Sequence, residues 1–243
     1  MSNNENMSFL QHLEELRWRL VKSAVAVVLV ASVIWYFQET IMVNLFLSMK
    51  EKDFITFRLF CKYFGVCVAD IPVKMQSMTV SGQFSYALMM SFMGGLVLAF
   101  PFIFYQLWSF VKPGLKLKEK KMASGLVFYV SLLFFLGILF GYFLVAPLSV
   151  QFFGSYQISN QIENNFTISS YMSMILSTVF YSGLFFLLPI VSYLLAKLEI
   201  IDVEFLKKYR KHAIVVILIL AAVITPPDII SQIIVSIPII GLY

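Results

Sequence analysis

Two carboxylates, Glu15 and Glu119, are placed where a charged side chain could do chemistry, each inside a short run of cations and aromatics. Glu15 lies in Met7-Ser-Phe-Leu-Gln-His-Leu-Glu-Glu-Leu-Arg-Trp-Arg-Leu20. In that run Phe9, Leu10, Leu13, Leu16 and Leu20 recur at three- and four-residue steps, which describes an amphipathic helix with Ser8 as its N-cap. Arg19 stands four residues after Glu15, and the two could simply pair on a wet helix face. Glu119 lies in Tyr105-Gln-Leu-Trp-Ser-Phe-Val-Lys-Pro-Gly-Leu-Lys-Leu-Lys-Glu-Lys-Lys121, where Pro113-Gly114 breaks the helix. It is the only acid among five lysines and could merely balance charge at the start of the next helix. In either segment a carboxylate could also meet a cationic ligand.

Enzymatic chemistry has little to work with. His12 and His212 are the only histidines and lie near separate ends of helices, and there is no P-loop, His-Glu-x-x-His or Gly-x-Ser-x-Gly. The reading is therefore no catalytic residue, no metal site and no cofactor. Cys61 and Cys67 have no metal-type partners nearby, so they are two unpaired thiols or a loop disulfide, the latter plausible if the loop lies in an oxidising compartment.

The elements that must position the two carboxylates are membrane helices. Of 243 residues, 60% are hydrophobic and 13% charged, against about a quarter charged in an average soluble domain. Charge-free runs extend from Met75 to Val111, Met122 to Ile162 and Asn164 to Ala196. Each can hold a spanning helix of about 20 residues, and their continuous apolarity excludes an alternating barrel strand. The pattern predicts an all-α integral membrane protein, one transmembrane domain over residues 1–243, with six spans near 21–38, 84–106, 122–146, 168–196, 211–225 and 229–243. The first is expected to be a retained helix rather than a cleaved signal, because about 20 residues of mixed charge precede it. The fifth and sixth are short for a bilayer, and the chain is expected to continue past Tyr243. Outer loops are expected at 39–83, with a surface amphipathic helix or hairpin within Leu45–Phe60, and at 147–167, where Pro147 is expected to end the third span.

Orientation follows from Lys and Arg in the connections. Thirteen lie in the N-terminal segment and in the connections after spans two and four, against five in the 39–83 loop, which places both termini in the cytoplasm. The net charge of +5 thus resides at helix ends, not in a basic stripe interleaved with stacking aromatics, so a nucleic-acid partner is excluded.

Three segments resemble the TatC family of the twin-arginine protein translocase. His12 to Leu20 matches His-Leu-x-Glu-Leu-Arg-x-Arg-Leu, Tyr105 to Pro113 matches Tyr-Gln-x-Trp-x-Phe-x-x-Pro, and Thr225-Pro-Pro-Asp228 with Ser231-Gln232 forms a third match between the last two spans. The resemblance covers essentially the whole chain. It implies a cupped six-helix bundle in the inner membrane that binds the twin-arginine signal peptides of folded precursors and drives their export on the proton motive force. It implies that Glu15 and Glu119 contact the two arginines, with Arg17, Arg19, Phe110, Pro113 and Gly114 shaping the site. It also implies that Thr225 and Gln232 meet single-span TatA/TatB-type partners, within a complex that holds further copies of the chain. The physics agrees with such a role: a guanidinium offers fixed donors that suit a carboxylate bidentately, which a lysine cannot copy.

One departure is visible. Many members carry an intramembrane Glu two residues before the proline of span four, and here that position is Leu187 in Phe185-Phe-Leu-Leu-Pro189. Asp228 could merely cap span six. Two other readings compete: a small-solute secondary transporter, which usually buries charge at mid-membrane where spans two to four have none, and a structural membrane scaffold, which would bind no peptide.

Overall fold

A computed structural model describes residues 9–65, 67, 75–114, 125–159, 161, 164–197, 209–224 and 229–242. Ten α-helices are distinguished among them: α1 (Phe9–Tyr36), α2 (Gln38–Ile41), α3 (Ile55–Phe64), α4 (Gly82–Val111), α5 (Leu126–Phe140), α6 (Ala146–Ser155), α7 (Ile168–Phe185), α8 (Leu188–Lys197), α9 (Arg210–Ile224) and α10 (Ile229–Leu242). The strands are two residues each, β1 (Met75–Gln76) pairing in parallel with β2 (Phe166–Thr167).

Among the described residues, four runs are long and apolar enough to cross a membrane: Leu10–Tyr36, Gly82–Val111, Leu126–Ser155 and Ile168–Leu194. Their most apolar windows are only 11–33% buried within the protein, and Val28, Leu29, Val33, Phe92 and Leu98 stand exposed. So much outward apolar surface needs lipid. At 15 and 14 residues, α9 and α10 reach roughly 20 Å each, short of a hydrocarbon core of about 30 Å, as their sequence lengths implied.

Three expectations are corrected. The amphipathic N-terminal segment, which the sequence leads one to expect along the membrane interface before a turn into the first span, does not turn: α1 is one helix of 28 residues, because nothing between Phe9 and Tyr36 breaks it. Residues 168–196 are not one unbroken helix. Phe186 and Leu187 form a turn in which the Leu187 N–H reaches back only three residues, to Leu184 O (3.0 Å), and Pro189 then falls in the first turn of α8, where its missing N–H costs nothing. Pro147 does not end the third span. A π-turn at Gly141–Val145 joins α5 to α6, and helix continues to Ser155, so the connection to the next span begins later than residue 147.

The π-turn resolves the proline problem locally. Proline supplies no N–H to the carbonyl four residues earlier, here Phe143, and its ring crowds that carbonyl in a regular helix. The Phe143 carbonyl instead accepts from the Thr56 hydroxyl at the start of α3. A second π-turn, Met42–Phe46, is treated the same way: Tyr142 donates to Leu45 O (3.0 Å) and buried Tyr171 to Phe46 O (2.5 Å). Three hydroxyls thus satisfy the carbonyls that irregular backbone leaves open, as a low-dielectric setting requires. α3 ends at Gly65 with φ 68°, a left-handed cap that favours glycine, and a disulfide joins Cys61 to Cys67 just beyond it. Of the two alternatives for these cysteines, the structure has the disulfide.

The chain divides into two compact units, one bounded by Met1–Tyr36 and Ser91–Ser131, the other by Phe37–Met90 and Leu132–Tyr243. In the second, α5 and its π-turn pack on α7 through small residues. A Cβ at Gly137 would lie 2.6 Å from Ser182 O, and one at Gly141 would lie 2.8 Å from Ser182 Cβ. Spacing of four places both glycines on one face, which lets the backbones approach without a hydrophobic drive that lipid cannot provide. In the first unit α1 packs on α4 at Gly94 and Gly95, where added Cβ atoms would meet Ile34 Cδ1 at 2.8 Å and Val27 O at 2.9 Å.

Candidate functional site

The close approach of α1 and α4 at Gly94 and Gly95 sets the register of their other ends. His12 meets Phe110, Arg19 meets Gln106, and Val27 to Ile34 meet Gly94 and Gly95, so the two helices run antiparallel. On α1, residues 12, 15 and 19 fall at steps of three and four and share a face; on α4, 106 and 110 do the same. Five side chains from two of the sequence motifs are thereby brought together.

Their contacts are specific. The His12 and Phe110 rings stack with centroids 4.1 Å apart and planes 19° apart. Arg19 Nε and Nη2 both donate to Glu15 Oε1, at 3.0 and 2.5 Å, while Arg19 Nη1 reaches Gln106 Oε1 at 3.5 Å. The Arg19 and Glu15 side chains are 22% and 26% exposed, and Gln106 is buried. Glu15 and Arg19 therefore pair along the helix, but at a half-buried joint between helices and not on a wet face.

The pair is unbalanced. Both Arg19 donors converge on one carboxylate oxygen, whereas the strong fork geometry uses both. Glu15 Oε2 is buried and has no hydrogen-bond partner among the described residues. An unmet buried acceptor costs about 1–3 kcal/mol, more for a charged group. A donor delivered to Oε2 would recover that cost.

Other expected residues lie apart from this cluster. Arg17 pairs with Glu14 (3.3 Å) where both side chains are more than three-fifths exposed, and such a pair contributes little. Pro113 and Gly114 form the 3₁₀ turn Lys112–Gly114 that ends α4, three residues past Phe110. Gln232, early in α10, donates from Nε2 to Leu218 O, midway along α9, at 3.1 Å, and ties those two helices together. Glu119 and Thr225 fall outside the described residues. Sequence reading gave Gln106 no role beyond its place in a motif; the one available signal was a polar side chain inside a charge-free apolar run.

Comparison with known proteins gives a consistent picture. The family profile described as Sec-independent protein translocase protein (TatC) matches residues 11–238. A Sec-independent protein translocase protein TatC from Blattabacterium sp. subsp. Periplaneta americana is 39% identical, over 100% of this chain and 95% of its own length. One from Helicobacter pylori (strain J99) is 35% identical, over 96% of this chain and 84% of its own. The crystal structure of a twin-arginine translocase receptor, TatC, in the detergent DDM superposes with a TM-score of 0.72 at 30% identity, covering 96% of each chain.

Proposed function

Because the chain belongs to the TatC family of Sec-independent protein translocase proteins, a multi-pass helical membrane family that works in Tat translocation and is not enzymatic, we propose that it is the receptor subunit of that system. It binds the twin-arginine signal peptides of folded precursors at the cytoplasmic face of the inner membrane. Glu15 accepts one arginine of the pair and Glu119 the other. Both termini are cytoplasmic on a six-span frame, as the thirteen-to-five distribution of Lys and Arg indicates. Single-span TatA/TatB-type partners dock beside Thr225 and Gln232, the complex contains further copies of this chain, and the proton motive force drives export.

The observation that carries the peptide-binding reading is the half-satisfied carboxylate of Glu15, buried at Oε2 and short of a donor. Precursor crosslinking tests it. Glu15→Ala and Glu119→Ala should each weaken crosslinking of a twin-arginine precursor while protein level stays unchanged. Normal crosslinking in the double variant would remove the assignment. A solute carrier, by contrast, would move its substrate in vesicles holding this chain alone.

A further inference from the structure

The receptor reading leaves unexplained why Glu15 is already engaged by an arginine of its own chain. Arg19 is bound to one oxygen only, and its third donor, Nη1, is aimed at a different acceptor, the buried Gln106 Oε1, at the outer limit of hydrogen-bond distance. A guanidinium therefore sits between two acceptors on two helices, held more closely by the first.

We infer that Arg19 is an exchangeable internal guanidinium, which occupies Glu15 when no peptide is present and passes to Gln106 when an arriving arginine takes the carboxylate. The inference rests on the receptor reading and adds two residues to its specificity. Glu15 is never left bare, so a ligand must offer more than Arg19 gives. An arginine fork that engages both Oε1 and Oε2 does so, since it recovers the orphaned oxygen as well. A lysine ammonium is a point charge without that fork and gains less from the exchange. Gln106 makes the exchange affordable: without its amide oxygen, displaced Arg19 would be left with unmet donors at a partly buried joint.

The test is a double-mutant cycle on the purified full chain in detergent, with a synthetic twin-arginine signal peptide as the probe and dissociation constant as the readout. Arg19→Gln removes the internal competitor and should tighten binding about two- to fivefold, the factor that matches loss of a partly exposed helical ion pair. Arg19→Lys, which keeps the charge but loses the two-donor grip, should tighten it as well and serves where Arg19→Gln folds poorly. Gln106→Met should weaken binding when Arg19 is present and leave it unchanged in the Arg19→Gln background. That non-additivity is the signature, because a general electrostatic effect of removing a cation would not depend on residue 106. Weaker binding in Arg19→Gln and Arg19→Lys, or an equal effect of Gln106→Met in both backgrounds, would overturn the exchange. Glu15→Gln separates the two levels: lost affinity there upholds the receptor site whatever the cycle gives, and unchanged affinity sinks the receptor site and the exchange together.

Discussion

Gly137→Ala isolates the packing that holds α5 against α7. The added Cβ would meet three atoms below 3.0 Å: Ser182 O at 2.6 Å, Gly183 Cα at 2.8 Å and Phe186 Cβ at 2.9 Å. Two of these are backbone and the third lies one bond from it, so none can swing aside, and the helices must part by several tenths of an ångström. Overpacking of this kind costs about 1–3 kcal/mol. Alanine recovers about 0.5–1 kcal/mol of intrinsic helix stability over glycine. The net expectation is a loss of about 1–2 kcal/mol, read by reversible unfolding in mixed detergent micelles. Gly241→Ala is the matched control, since nothing lies within 4 Å of its Cβ and only the helix gain should remain. If Gly137→Ala proves no less stable than Gly241→Ala, the close contact of α5 and α7 is not as described.

Other perturbations probe separate parts of the account. Tyr171→Phe strands the buried Phe46 carbonyl and should destabilise the chain by about 1–3 kcal/mol, whereas Tyr142→Phe, at a more exposed hydroxyl, should cost less in the same unfolding assay. Reducing the Cys61–Cys67 bridge frees a loop with a sequence separation of six, a loss of about 2 kcal/mol by chain entropy that a reductant-dependent shift in unfolding would register. After reduction in intact cells, a membrane-impermeant maleimide should label these cysteines from outside; labelling only after lysis would reverse the proposed orientation. Arg17→Ala should leave stability within about 0.5 kcal/mol of the parent, because its pairing with Glu14 is exposed.

Much of this was legible in the order of residues. Lys and Arg mark the ends of charge-free runs, and the last two helices, read as 211–225 and 229–243, are found at Arg210–Ile224 and Ile229–Leu242. What resisted reading depends on neighbours distant in the chain. Pro147 reads locally as a helix end, but the segment continues through a π-turn, where the Phe143 carbonyl accepts from the Thr56 hydroxyl, 87 residues away in sequence. The spacing of Gly137 and Gly141 is visible in the sequence, but not that Ser182 and Gly183 fill the space. At the candidate site the i,i+4 pairing of Glu15 and Arg19 was foreseeable from helix geometry alone. That Arg19 uses a single oxygen, and that Gln106 waits on the other side, depends on the antiparallel register of α1 and α4, which no local pattern encodes.

The most direct measurement is the ratio of affinities of the purified chain for a twin-arginine signal peptide and its twin-lysine counterpart, taken for the parent and for Glu15→Gln and Glu119→Gln. A charge-assisted fork is worth about 1.5–3 kcal/mol, or roughly ten- to a hundredfold. The parent should therefore favour the arginine peptide strongly, and each neutralised carboxylate should lower the ratio by about one such factor, leaving the share of the other carboxylate. A ratio that survives both substitutions intact would contradict the claim that these two side chains read the arginines.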